Sequence, residues 1–298
     1  MTLAGFLDYG VRLLDLSEYI VTAMRSYVLV IDSFKGCLTS LEAEAVVSET
    51  ICRADPLAEV VSVPVSDGGE GMLDAFLAVM GGERVSLRVR DPLGSLITAS
   101  YGVTMERVAL IESAQAVGLH LVPPHRRNPL VASSYGVGQL VADAYHRGYR
   151  QFIVGLGGTA TCDGGVGMLQ ALVDALGVER EALGEALSDC HFILASDVTN
   201  PLYGPRGATL IFAPQKGATP TMVSVIEGRM RELASQAADR MGCDRSGEPG
   251  AGAAGGLGYA FMQFLGAECR SGIDPQFRIN FYAELRQLVS FALLITFN

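Results

Sequence analysis

With 298 residues, 49% of them hydrophobic and 18% charged, the chain has the composition of one large or two ordinary folded domains and not of a disordered segment. Its formal charge of −10, with no cationic stripe, excludes a general nucleic-acid or anionic-membrane surface. An anionic ligand would have to be met locally, by single basic groups and backbone amides.

The first 23 residues place Leu3, Leu7, Val11 and Leu14 at helical spacing, which predicts a short amphipathic helix. Acidic residues break the apolar stretch and no basic start precedes it, so it does not read as a signal peptide, and Met24 is an alternative start of translation. Tyr27 to Ile31 reads as a buried strand ending at Asp32 and Ser33. Helix and strand signals then alternate: a helix over 41–53, a strand over 60–65 and a helix over 72–80. Strands over 84–89, 97–103 and 108–113 follow without long helices between them, which predicts an antiparallel or mixed sheet there. A helix over 136–147, a strand over 151–156, a helix over 166–176, a strand over 191–196 and a helix over 222–241 complete the pattern. The fold class is α/β, with 291–297 as a short apolar strand-like segment too brief to cross a bilayer.

Of the 22 basic residues only Lys35 and Lys216 are lysines, and each precedes a glycine. A lysine meets a phosphoryl oxygen as a compact point charge where arginine offers a flat fork, so both are candidates for phosphate or carboxylate neutralisation; chance within an arginine-rich composition is the plain alternative. The sequence Asp-Gly-Gly-x-Gly occurs twice, at Asp67, Gly68, Gly69, Glu70 and Gly71 and again from Asp163 and Gly164 to Gly167, each time between a strand and a helix. Glycines let backbone amides approach a ligand, the following helix N-terminus favours anions, and the aspartate can hold Mg²⁺ or orient a hydroxyl. An Asp N-cap with glycines for the turn is the structural alternative. The second copy follows Gly157, Gly158, Thr159, Ala160 and Thr161. At the end of the 191–196 strand stand Ser196, Asp197, Val198, Thr199 and Asn200, where open α/β sheets bind ligands; Asp197 is a candidate general base or metal ligand with Asn200 as its orienter, and an Asp-turn before Pro201 is the structural alternative.

Other site classes are excluded. Residues 250–255 formally match GxGxxG, but Pro249 precedes them where a dinucleotide fold needs a strand, leaving an anion loop or close packing. There is no P-loop and no protein-kinase motif. Six cysteines carry no CxxC or zinc spacing, which reads as a reducing cytoplasm, and four histidines form no HExxH.

Taken together, Ile31 to Gly36, Val63 to Gly71, Arg127 to Leu130, Ser134 to Gly138, Gly157 to Gly165, Ser196 to Leu202, Pro214 to Ala218 and Pro249 to Gly258 resemble the class I glycerate kinase family, in the family's order. The resemblance implies ATP-dependent phosphorylation of D-glycerate to a phosphoglycerate with Mg²⁺; the position phosphorylated stays open. It implies a Rossmann-like α/β domain built from residues 27–64 and 273–298, with a second α/β domain, 65–272, inserted, and 1–26 as an extension. Asp197 or Asp67 would accept the glycerate hydroxyl proton, Lys35 and Lys216 would neutralise charge, and the two glycine loops would hold phosphate and metal. Ser33, Gly68, Gly69, Glu70, Arg127, Thr159, Thr161, Asp163, Gly164 and Asn200 complete the candidate substrate and nucleotide contacts, and the metal's ligands are unassigned. The expected partners are glycerate and a nucleotide, with no nucleic acid and no membrane.

Beyond Asp274 the resemblance fades, and Thr296 is followed by Phe297 and Asn298 where a family member continues with Gly-Glu-Gly. The expectation is therefore an incomplete first domain with little activity and poor solubility. An inactive fragment, or an anion-binding module without turnover, is the alternative function.

Overall fold

A computed structural model of the chain describes residues 25–31, 34, 37–64, 66, 68–270 and 293–295. The expected N-terminal helix lies outside these, as do Ser33, Lys35 and Asp67 among the candidate site residues.

The first strand, β1 (Ser26–Ile31), is followed by α1 (Ser40–Ala54) and β2 (Glu59–Ser62). Thr39 caps α1 through a reciprocal pair with Glu42, satisfying two orphan donors of the first turn. The same turn grips the end of β1: Ser40 Oγ donates to the Ile31 carbonyl at 2.6 Å and the Ile31 amide donates to the buried Glu44 carboxylate at 3.2 Å. Strands β1 and β2 pair in parallel from Ser26 opposite Glu59. The other edge of β1 pairs in parallel with β9 (Leu293–Ile295), Leu29 opposite Leu293, so segments 264 positions apart in sequence share one sheet.

The larger sheet begins after α2 (Met72–Met80). It contains β3 (Glu83–Arg90), β4 (Leu96–Val103) and β5 (Val108–Glu112), then, after α3 (Ser113–Val117) and α4 (Tyr135–His146), β6 (Gln151–Gly155). Helices α5 (Val166–Leu176) and α6 (Leu183–Ala186) lead to β7 (His191–Ala195). Then α7 (Ala208–Phe212), α8 (Pro220–Met241) and α9 (Ala253–Leu265) lead to β8 (Glu268–Arg270). The spatial order is β3-β4-β5-β6-β7-β8; β3 with β4 and β4 with β5 are antiparallel, and the pairs from β5 to β8 are parallel. The mixed sheet expected of this region is what forms.

Strands β5, β6 and β7 are covered on both faces, which is why they read as continuous apolar runs. Side chains alternate between faces: Leu110, Ile153 and Ala195 meet Met72 and Leu73 of α2, while Ile111, Phe152, Val154, Phe192 and Leu194 join the main core. Phe152 stacks on Phe192 at 4.6 Å, and Phe192 tilts against Phe261 of α9 at 5.7 Å.

Several boundaries differ from expectation by one to three residues. Strand β2 stops at Ser62 instead of running to residue 65, and β5 stops at Glu112 because Ser113 opens a helix. Helix α8 starts two residues earlier than its apolar periodicity indicates, because Thr219 accepts from the Met222 amide as N-cap and Pro220 occupies the first turn.

Candidate active site

The site is built where the parallel strands β5, β6 and β7 end. The first glycine loop, 68–71, lies directly on those ends. Gly68 has φ +88°, and a Cβ on it would stand 2.3 Å from the Ala195 carbonyl oxygen at the end of β7. Its own carbonyl accepts from the Gly157 amide at 2.9 Å, and a methyl on Gly157 would stand 2.4 Å from Gly69 Cα. Only glycines allow the two backbones to come this close. Helix α2 starts at once, capped by Gly71, which has no side chain to offer the first-turn amides. That acceptor comes from Glu112, the last residue of β5, whose Oε2 receives the Leu73 amide at 2.9 Å and whose Oε1 receives Gln115 Nε2 at 3.3 Å. Burial raises the Glu112 pKa from its ordinary value, against the opposing pull of the Leu73 and Gly71 amides and of Gln115. At the rim Glu70 Oε2 stands 3.8 Å from His120 Nδ1, both side chains exposed.

The loop after β6 runs through Gly157, Gly158, Thr159, Ala160 and Thr161. It is tied to the α3 region by Leu119 N to Gly158 O and Ala160 N to Val117 O, both 2.8 Å. Lys216 is buried behind it, only 4% exposed, with Nζ donating to Thr159 Oγ1 at 3.3 Å and to the Thr161 carbonyl at 2.7 Å. Burial lowers the Lys216 pKa, opposed by Cys162 and Asp163. The position takes a compact ammonium, and arginine's larger planar head would have to displace this loop. Thr161 Oγ1 is buried beside it and has no hydrogen-bond partner among the described residues. The following Gly217, at φ +92°, packs on Arg127, whose Nε donates to the Val122 carbonyl at 3.3 Å. Asp197 lies exposed just beyond β7, two residues past the carbonyl on which Gly68 rests.

The second glycine loop is built differently. Asp163 Oδ2 accepts from the Ser134 amide, the Ser134 hydroxyl and the Gly167 amide at 2.8, 2.8 and 3.1 Å, and Oδ1 accepts from the Gly165 amide at 3.1 Å. Its glycines face other backbone: the Gly164 amide donates to the Gly255 carbonyl at 3.1 Å, and a Cβ on Gly256 would stand 2.7 Å from Gly164 Cα. The 250–258 tract is thus a close-packing device, with Ala254, Gly255 and Gly256 in left-handed conformation before the regular turns of α9. Asn200, expected to orient Asp197, donates its amide to the Arg206 carbonyl at 2.7 Å.

The structure therefore gathers Gly68, Gly69, Glu70, Thr159, Thr161 and Lys216 around the strand ends, with Arg127 packed on Gly217 and Asp197 just beyond β7. It spends Asp163, Gly164 and Asn200 on the scaffold. Glu112 and His120 are the groups that sequence reasoning did not select. Among the described residues no three His, Cys, Asp or Glu side chains cluster as metal ligands, and no helix is long and apolar enough to cross a membrane.

The glycerate kinase family model matches residues 27–296, past Asp274 where the sequence resemblance was expected to fade. A glycerate kinase of Halalkalibacterium halodurans is 37% identical over 282 residues, covering 88% of this chain and 74% of the relative. The glycerate 2-kinase of Escherichia coli K12 is 40% identical over 267 residues, covering 83% and 70%. Among solved structures, a Salmonella typhimurium LT2 protein assigned as a glycerate kinase 2 superposes with a TM-score of 0.76 at 33% identity, covering 90% of this chain and 77% of that one. The glycine loop over the β6 and β7 ends and these matches over most of the sequence agree, and the chain belongs to the glycerate kinase family.

Proposed function

We propose that the chain transfers the terminal phosphoryl group of ATP to a hydroxyl of glycerate at the C-terminal ends of β5, β6 and β7. Family membership supports the reaction. The observation that carries the place is the seating of residues 68–71, at the start of α2, on the ends of β6 and β7. The positive end of a helix and a close glycine backbone favour an anion beside the loop, with the Gly71 and Leu73 amides themselves held by Glu112, and phosphoryl transfer depends on such positioning more than on covalent chemistry.

In this reading Asp197 accepts the proton of the attacking hydroxyl, with Asp67 as the second candidate. Lys35 neutralises phosphoryl or carboxylate charge. Lys216 acts from behind the 159–161 segment, fixing it through Thr159 and Thr161 and lending it positive potential. Mg²⁺ takes one or two protein carboxylates and otherwise phosphate and water, a requirement that the exposed Glu70 carboxylate fits and Asp163, whose two oxygens accept from three amides and a hydroxyl, does not. Bound with the nucleotide, the ion would offset charge on the phosphoryl oxygens.

The two separate sheets support a division into one unit from residues 27–64 and 273–298 and a second from 65–272. The cysteine pattern supports a cytoplasmic setting. The test is ADP release by the purified chain with ATP, Mg²⁺ and D-glycerate, L-glycerate or lactate, with the product resolved as 2- or 3-phosphoglycerate. Turnover confined to glycerate is expected; no release above the substrate-free blank refutes the reading.

A further inference from the structure

We infer that Glu112 is a positioning residue for phosphoryl transfer: from the end of β5 it fixes the start of α2, and through it the 68–71 loop, in the register the nucleotide phosphates require. The inference rests on the proposed function above for its kinetic part and on hydrogen bonding alone for its structural part.

A carboxylate inside an apolar sheet core is costly unless its oxygens are satisfied. Glu112 is 0% exposed, lies at the sheet position opposite Gly155 and shares the face of β5 on which Leu110 packs against Met72 and Leu73 of α2. Its principal partner is a main-chain amide of α2 located 39 residues earlier in the sequence, at 2.9 Å. Helices normally satisfy first-turn amides with an Ser, Thr, Asp or Asn at the N-cap, and the cap here is Gly71 at φ +90°. A glycine cap offers the first turn no side-chain acceptor, and the job of holding the helix start passes to a residue on another strand. A carboxylate at that point also complements the positive end of the helix.

The loop is consequently held at two ends. Gly68 is fixed by the Gly157 amide and packs closely on the Ala195 carbonyl, and the α2 end is fixed by Glu112. Between these anchors Glu70 is exposed and Gly69 is buried against Gly157. If Glu112 loses its acceptor, the Gly68 anchor remains while the other end rotates, and a loop meant to cradle phosphate moves without unfolding. A displacement of about 1 Å is enough to cost on the order of 10²-fold in rate.

The test compares the full chain with Glu112→Gln and Glu112→Asp. The amide of Gln is isosteric but presents N–H groups toward donors; Asp keeps the charge but is one methylene too short to reach the Leu73 amide. Both should lower kcat/KM for ATP by about 10- to 100-fold while KM for glycerate stays within about threefold. Amide hydrogen exchange should accelerate in peptides covering 68–74 and not in β4, β6 or α5. Loss of kcat/KM for ATP with exchange confined to 68–74 supports the assignment. Kinetics and exchange unchanged from the wild type overturn it. Exchange rising evenly across the sheet, with a matching fall in Tm, overturns it too, since Glu112 is then an ordinary core group. If the wild type itself does not turn over glycerate, the proposed function fails and the exchange pattern alone decides the role of Glu112.

Discussion

Replacing Gly157 by alanine tests whether the first glycine loop is the place of chemistry. Gly157 is not among the positive-φ residues, so alanine is compatible with its backbone and the perturbation is steric. The new methyl would stand 2.4 Å from Gly69 Cα and 2.9 Å from Gly69 N, where ordinary contact begins at 3.4 Å. The loop must therefore retreat by about 1 Å, since both neighbours are main-chain atoms and have no side-chain rotamer to yield. The strand side is poorly able to move: Gly155 pairs with both Glu112 and Ala195, and the Leu156 amide reaches the Ala195 carbonyl at 3.3 Å. Overpacking of this kind costs about 1–3 kcal/mol, and weakening the Gly157 to Gly68 hydrogen bond adds about 1 kcal/mol. In a chain of this size that corresponds to roughly 3–6 °C in Tm. The rate effect is larger: a 1 Å displacement of a phosphate cradle corresponds to about 10²-fold in kcat/KM, or about 2.7 kcal/mol of transition-state stabilisation. Steady-state ADP release and thermal unfolding of Gly157→Ala measure both quantities. Gly228→Ala, in the exposed middle of α8 with nothing within 4 Å of the added methyl, is the control and should gain up to about 1 kcal/mol with unchanged kinetics. A Gly157→Ala enzyme whose kcat/KM stays within twofold of the wild type refutes the placement of the site, whatever its Tm.

Asp197→Asn should lower kcat by about 10²- to 10⁴-fold with a much smaller change in KM for glycerate, as expected for loss of a general base; an unaltered kcat transfers the role to Asp67. Asp163→Ala should instead act on stability, by about 2–4 kcal/mol, because three amides and a hydroxyl lose their acceptor; denaturant unfolding measures it, and an unchanged midpoint contradicts the scaffold role. Glu44 provides a pH test, since burial lifts its carboxyl from 4.5 to about 7. With the folded pKa above the unfolded one, its stabilising contribution is fully present below pH 4.5 and is lost as pH rises through about 7. Glu44→Gln, which mimics the protonated form, should raise Tm relative to the wild type at pH 8 and leave it nearly unchanged at pH 4.5; equal shifts at the two pH values would contradict the assignment.

The alternation of strands and helices was readable because the parallel strands are buried on both faces and so appear as unbroken apolar runs. The glycine loops were equally readable as turns, but their difference was not. Both copies have the same five-residue pattern, yet 68–71 meets strand-end carbonyls and amides while 164–167 meets the glycines of a tract some 90 residues further on. A local motif cannot report which backbone will be opposite it. Glu112 was invisible for the same reason: its partner amide belongs to a helix 39 residues away, and Ile111-Glu112-Ser113 reads simply as the end of a strand. Lys216 stood out by its rarity, and its burial behind Thr159 and Thr161 gives the choice of lysine at that position a physical cause. Asn200 was selected by its neighbourhood to Asp197, and the turn at 201–206 claims its amide.

The placement of β1 between β2 and β9 has a consequence for synthesis on the ribosome. The partner of Leu29 on one side is Ser62, but on the other side it is Leu293, 264 residues later. At about 5–20 residues per second, that second partner emerges on the order of ten to fifty seconds after β1. The six-stranded sheet has no such delay: its most separated pairing, Ile193 with Glu268, spans 75 residues. The larger sheet can thus be complete while the apolar Val28 to Ile31 edge is still open, a state exposed to nonspecific strand pairing. Nascent-chain survival should then depend on how well that edge is shielded by chaperones during elongation, and slowing translation after residue 270 should cost more soluble protein than slowing it within the larger sheet.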